Sequence, residues 1–294
     1  MLTRMRSRVG RMSAPARVAA FGAALGVAFG AAAAAGAVVD PVRAPSDGAA
    51  HAHGHGADHG AAHGATGLAI AEDGYRLVPD ATGIPAGESV RWTFRIVGPD
   101  GAAVTDFDVE HERRMHLIVV RRDLTGYQHL HPSLGAGGRW SVALRLPEAG
   151  VYRAYADFTA DGRPLTLATD LLVAGAFAPR PLPAPVPVDA TEGYSADLHV
   201  EGGAAGEDTD LTYELSHGGR PLDHVEPYLG ADGHLVALRE GDLAFLHLHP
   251  EDPDAPGTIR FGATLPSAGR YRLFLQFRHD GRVRTVAHTI EVTG

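Results

Sequence analysis

The sequence predicts an all-β protein made of two tandem β-sandwich domains. Three observations lead to this fold class: strand-like alternation fills the chain beyond residue 68, one long pattern of residues occurs twice, and helical periodicity of useful length is missing. Short alternating or apolar segments bounded by Gly, Pro and Asp are typical of strands. With 294 residues, of which 45% are hydrophobic, the chain can form two domains that each have a core.

Residues 1–39 have the features of an export segment. Five arginines, from Arg4 to Arg17, precede an uncharged run from Val18 to Val39. A cationic start followed by an apolar stretch directs export, and its positive end stays in the cytoplasm. The run is long enough to cross a bilayer, whereas its small residues near Ala35 suit a cleavage site. The sequence therefore predicts either a cleaved signal peptide or a retained membrane anchor. Both place the remainder outside the cytoplasm, as a secreted, periplasmic or cell-surface protein.

Residues 40–67 form a low-complexity segment of Ala, Gly, Asp and His, which we expect to be a disordered tether. Closely spaced imidazoles can chelate divalent metals, so one interpretation is a metal-collecting tail, and the other is a solvated linker. The five histidines concerned are His51, His53, His55, His59 and His63.

The rest of the chain is a duplication in register. The sequence from Met115 to Pro132, MHLIVVRRDLTGYQHLHP, recurs from Gly233 to Pro250 as GHLVALREGDLAFLHLHP. LPEAGVYR recurs as LPSAGRYR, a phrase that fits a corner before a late core strand, with its Tyr buried. About seven short strands in about 100 residues is typical of an immunoglobulin-like sandwich, here without a disulfide. We therefore predict repeats at 68–175 and 191–294, joined by a Pro-rich spacer at 176–190.

Composition excludes several functional classes. The formal charge of −9, without a basic patch, argues against nucleic-acid binding. The chain has no Cys, which excludes disulfides, thiol catalysis and thiolate metal sites. Its 17 His are the outlier, and they are unevenly distributed.

The predicted metal ligands follow one spacing, His-x12-His-x-His, in both repeats: His116, His129 and His131, and then His234, His247 and His249. Residues two apart on a strand share a face. If the hairpin turn centres between Asp123 and Leu124, residue 131 lies opposite residue 116, and all three rings of the first repeat share that face. A slip by one residue would send His116 to the other face, so the prediction depends on register. A single strand His is usually incidental, but the spacing persists although most other positions have diverged.

All-imidazole ligands without Cys suit copper(II), zinc or nickel, and we expect copper(II) or zinc. Fourth-ligand candidates are His111 and Asp106 in the first repeat and Asp223, His224 and Glu226 in the second.

The phrases HLIVVRRDLTGYQHLHP and HLVALREGDLAFLHLHP resemble bacterial secreted β-sandwich proteins of the YtkA-like and CopC-like kind. That resemblance implies extracytoplasmic metal handling, particularly of copper. The sequence lacks the Met-rich stretches and the N-terminal ligand His of CopC-like proteins. The His-x-His plus cross-strand His arrangement is also similar to the zinc site of carbonic anhydrases.

Three functions remain open from the sequence. The first is an extracytoplasmic metal-binding protein that buffers, senses or delivers copper or zinc, with a membrane metal transporter as a candidate partner. The second is a structural or adhesive tandem module without metal. The third is a zinc-dependent hydrolytic enzyme, which three His and an open position would allow. The repeats share no consistent general base, so we expect a protein that is not an enzyme.

Overall fold

The computed structural model describes residues 66–248, 250–251 and 255–294. The predicted export segment, the predicted tether up to residue 65 and His249 lie outside these residues. All of these described residues belong to one compact unit, which contains both repeats. Among the described residues, the structure has no helix of sufficient length and hydropathy to span a membrane. The predicted all-β class is confirmed, because regular structure there consists of strands and one 3-10 turn, Ala136–Gly138.

The first repeat is a sandwich of two five-stranded sheets, ordered β1-β2-β4-β8-β7 and β3-β10-β9-β5-β6. Its strands are β1 Ala71–Glu72, β2 Tyr75–Pro79, β3 Gly83–Ile84, β4 Ser89–Val97, β5 His116–Arg121, β6 Gln128–Leu130, β7 Ser133–Leu134, β8 Trp140–Arg145, β9 Gly150–Ala160 and β10 Arg163–Val173. β3 pairs parallel with β10, and the other neighbours are antiparallel. This strand order is that of an immunoglobulin-like domain, so the predicted sandwich is confirmed.

The second repeat repeats this plan. One sheet has the order β11-β12-β13-β14, with β17 also paired to β13, and the other has the order β16-β15-β18-β19. Its strands are β11 Val188–Thr191, β12 Tyr194–Glu201, β13 Asp208–His217, β14 Arg220–Pro221, β15 Gly233–Arg239, β16 Phe245–Leu248, β17 Thr258–Thr264, β18 Gly269–His279 and β19 Arg282–Val292.

Each repeat has its own core and the tyrosine corner that the repeated phrase predicts. The buried Tyr152 donates a hydrogen bond from its hydroxyl to the carbonyl of Glu148, at 3.0 Å. Tyr271 makes the matching bond to the carbonyl of Ser267, at 2.9 Å. Such a bond fixes the chain where it enters the late core strand of an immunoglobulin-like domain.

The two repeats pack through the outer faces of their β5 and β15 sheets. On β5, Leu117 and Val119 enter the first core, whereas Ile118 and Val120 enter a separate apolar cluster that also contains Val236. This cluster includes Leu182, so the Pro-rich segment also packs here. The strands β5 and β15 are therefore buried on both faces, which explains their nearly continuous apolar sequences.

Aromatic pairs show that this interface has approximate two-fold symmetry. The ring of Tyr127 stacks on that of Phe274 with centroids 4.1 Å apart, and Tyr155 stacks on Phe245 at 4.9 Å. Tyr127 and Phe245 are equivalent positions in the two repeats, as are Tyr155 and Phe274. Each repeat therefore presents the same patch to the other, as the subunits of a two-fold dimer do.

Candidate metal centre

The first three predicted ligands lie on one hairpin in the predicted register. His116 begins β5, His129 lies in β6, and His131 follows β6 directly. The pairs Leu117↔Leu130 and Ile118↔His129 fix a register that centres the turn between residues 123 and 124. The predicted register is therefore confirmed, and the three rings share the face turned toward the second repeat.

The second repeat places its histidines in the same way. Leu235↔Leu248 and Val236↔His247 give the matching register between β15 and β16. His234 and His247 meet the first set at the interface: the centroid of the His116 ring is 5.3 Å from that of His247 and 6.2 Å from that of His234. The predicted ligand His249 lies outside the described residues.

Three nitrogen donors of the first repeat are close enough to share an ion. One ring nitrogen from each of His116, His129 and His131 lies within 4.8 Å of the other two. His116 Nδ1 and His129 Nε2 are 3.0 Å apart. The Nε2 atom of His131 is buried without a hydrogen-bond partner among the described residues. Because a buried polar atom without a partner is costly, this nitrogen is suited to a ligand. The histidine triad of the first repeat can thus hold a metal ion.

Backbone carbonyls fix the outer nitrogen of one histidine in each repeat. His116 Nε2 donates to the carbonyl of Glu110 at 3.3 Å, and His234 Nε2 donates to the carbonyl of Tyr228 at 2.9 Å. A carbonyl can only accept, so each Nε2 carries the proton. In the neutral ring the lone pair is then on Nδ1, and His116 Nδ1 faces His129.

Side chains from the opposite repeat fix the other two rings. His129 Nδ1 donates to Gln276 Oε1 at 2.8 Å, and His247 Nδ1 donates to Asp157 Oδ2 at 2.8 Å. The amide oxygen of Gln276 can only accept, so His129 Nδ1 carries the proton of this bond, and Gln276 Nε2 donates to the hydroxyl of Thr285. With the proton held on Nδ1, Nε2 is the nitrogen of each ring that can bind a metal ion. A carboxylate or carbonyl behind the outer nitrogen of an imidazole is the usual support of a metal-ligating histidine.

Asp157 and Gln276 were not predicted from the sequence. They are equivalent positions of β9 and β18, opposite His116 and His234 in the two sheets. The sequence could identify these two residues only if the β5–β9 and β15–β18 strand pairings were already known, because these pairings join residues about 40 positions apart. Thr166 orients Asp157 by donating from Oγ1 to Oδ1 at 2.8 Å.

Burial lowers the pKa of several imidazoles of the cluster, which favours their neutral form. It lowers the pKa of His116 and of His234 to about 3, and that of His131 to about 4. The pKa of the buried His129 is also well below its usual range for this reason. Burial raises the pKa of Asp157, but the hydrogen bond from His247 outweighs burial, so the pKa is lowered and the carboxylate is ionised. Neutral imidazoles can bind a divalent cation without first losing a proton.

The fourth-ligand candidates separate into two regions. His111 is at the cluster, with its ring centroid 5.4 Å from that of His234. Asp106 is exposed. Asp223 and His224, both exposed, instead group with His279 within 4.8 Å. Glu226 pairs with Arg278 at 3.1 Å.

Fold and site together define a tandem immunoglobulin-like protein with a histidine cluster between its repeats. The chain belongs to the family described as Domain of unknown function (DUF8832), whose model matches residues 69–175 and again 189–294. No curated protein matches the chain.

The solved structures that match are distant. The Escherichia coli adhesin FdeC is 16% identical over 77% of this chain and 66% of its own, with a TM-score of 0.27. Activated Escherichia coli alpha-2-macroglobulin is 13% identical over 74% of this chain and 20% of its own, also with a TM-score of 0.27. A chimeric titin Z1Z2 is 12% identical over 74% of this chain and 97% of its own, with a TM-score of 0.20. TM-scores this low carry no argument about function.

Proposed function

We propose that this protein binds a transition metal ion, copper(II) or zinc, outside the cytoplasm. The observation that carries the proposal is the convergence of buried histidines from both repeats, with the donor atoms of His116, His129 and His131 within 4.8 Å of one another. Imidazole donors select such ions over magnesium or calcium. The predicted export segment is the reason for proposing a location outside the cytoplasm. A membrane metal transporter is the proposed partner that would deliver the ion to this protein or receive it.

Binding rather than catalysis is proposed because of how the carboxylate of Asp157 is engaged. It accepts hydrogen bonds from both His247 and Thr166, so it orients an imidazole instead of standing ready as a general base.

The test is calorimetry of the full-length chain with copper(II), zinc and nickel. To remove the tether as a competing ligand, its five histidines would be changed to Ser. We call this variant the tether-serine background (His51→Ser, His53→Ser, His55→Ser, His59→Ser and His63→Ser). Binding should persist in this background. It should be lost when the six hairpin histidines are also changed to Ala, in a protein whose circular dichroism still shows strands. If the tether-serine background binds none of the three ions, the proposed function is wrong.

A further inference from the structure

Four of the clustered histidine rings lie at the corners of a near-regular tetrahedron. The six distances between the ring centroids of His116, His129, His234 and His247 run from 5.2 to 6.2 Å. In a square arrangement the two diagonals would exceed the edges by a factor of about 1.4, so the rings do not form a plane. Four imidazoles bound tetrahedrally to zinc at 2.0–2.1 Å have ring centres about 5 Å apart. The observed spacing is that arrangement, slightly expanded.

Hydrogen bonds at the rims of these rings determine which nitrogen of each ring can bind a metal ion. Carbonyls hold Nε2 of His116 and His234, whereas Gln276 and Asp157 hold Nδ1 of His129 and His247. In the first repeat His116 Nδ1 and His129 Nε2 are 3.0 Å apart. That distance suits a hydrogen bond in the metal-free protein, and it is also close to the roughly 3.3 Å between two nitrogens bound to one tetrahedral zinc ion.

We infer that one metal ion is held jointly by the two repeats, through His116 Nδ1 and His129 Nε2 of the first and His234 Nδ1 and His247 Nε2 of the second. The inference rests on the proposed function and deepens it, because it fixes the number of ions, the ligand atoms and the kind of ion. Zinc is that ion, since four nitrogen ligands in a tetrahedron suit zinc, whereas copper(II) and nickel(II) prefer tetragonal geometry.

His131 distinguishes the shared site from a site held by the first repeat alone. Its ring contacts those of His116 and His129, at 5.2 and 4.8 Å between centroids. If the first repeat bound an ion alone, His131 would be a required third ligand and His247 would not be required. A shared site predicts the reverse.

The experiment measures zinc in the tether-serine background of the full-length chain, by equilibrium dialysis with elemental analysis. We expect one zinc ion per chain. His129→Ala and His247→Ala should each weaken zinc binding by at least about 100-fold, because each removes a ligand, and loss of a group that only orients a ligand can already reach that size. His131→Ala should weaken zinc binding less than His247→Ala does, and His199→Ala, at a side chain that is 53% exposed, is the control that should leave binding unchanged. Cobalt(II) in place of zinc should give the intense visible absorption of tetrahedral cobalt.

Each other outcome has a defined meaning. Two ions per chain, unaltered binding in His247→Ala, or loss of binding in His131→Ala equal to that in His129→Ala would overturn the shared site and leave metal binding intact. The absence of any bound zinc, copper or nickel would instead overturn the proposed function. If the alanine variants do not fold, the cobalt(II) spectrum of the tether-serine background still tests the shared site. Weak visible bands, which are typical of six-coordinate cobalt, would exclude a tetrahedral site.

Discussion

Acidification should destabilise the metal-free protein through two buried imidazoles. Burial lowers the pKa of His116 and of His234 from 6.5 to about 3, and their exposed fractions are 3% and 1%. Since the folded-state pKa is below the unfolded value, the unfolded chain binds more protons between the two. The stabilising contribution is therefore complete above about pH 6.5 and is lost as the pH falls toward 3.

The magnitude follows from proton uptake by the unfolded chain. Between pH 7 and pH 5 an unfolded imidazole becomes almost fully protonated while the folded one stays neutral. One unit of pH at full uptake corresponds to about 1.4 kcal/mol, so the integral over this range is about 2 kcal/mol for each ring. His116 and His234 together should lower the free energy of unfolding by about 4 kcal/mol.

Urea unfolding at pH 7, 6 and 5 with a chelator present measures this loss. The double variant His116→Asn, His234→Asn should have a shallower dependence of unfolding free energy on pH. His199, whose side chain is 53% exposed, is the control, and His199→Asn should leave that dependence unchanged. If the double variant loses as much stability between pH 7 and pH 5 as the unsubstituted protein does, these two imidazoles are not the cause of the acid destabilisation.

Three further predictions concern the interface, a turn and the site. Phe274→Ala should lower the free energy of unfolding, measured in urea, by about 3–5 kcal/mol. Val283→Ala, at a side chain that is 41% exposed, is the control and should change it by less than about 0.5 kcal/mol. Similar losses in the two variants would contradict the packing of Phe274 in the interface between the repeats. Gly138→Ala should lower the melting temperature more than Gly137→Ala does. Both positions have positive φ, but only a Cβ at residue 138 would meet a backbone carbonyl oxygen, at 2.5 Å. Equal shifts in melting temperature would contradict a role for this close approach. Asp157→Asn should weaken zinc binding about 10- to 100-fold in a chelator competition, and unchanged affinity would remove its orienting role.

The sequence contained enough to predict the fold and the hairpin register. Alternation defined the strands, and the repeated phrase marked Tyr152 and Tyr271 as corner residues, both of which are buried. Equal His spacing in two diverged copies indicated one face of a hairpin. These are local properties, set by the two-residue period of a strand and by turn length.

The meeting of the two repeats was not predictable from local pattern. The nearly continuous apolar runs at His116–Arg121 and Gly233–Arg239 are typical of strands buried on both faces, but they do not identify what covers the second face. Asp157 and Gln276 differ in type, and they reach their histidines only across that interface. Their role depends on tertiary packing, which sequence spacing does not encode.

The symmetric interface also bears on the behaviour of a single repeat. Each repeat carries both halves of a self-complementary surface, so two separate copies would associate as a dimer whose population depends on concentration. Joining them in one chain makes this association intramolecular, at an effective concentration on the order of millimolar. In a homodimer, equivalent positions of the two copies must carry the same residue. In one covalently linked chain they can differ, because each position always faces the same partner residue in the other repeat. Asp157 in one repeat and Gln276 in the other show that freedom in use, with one charged and one neutral group performing the same orienting task.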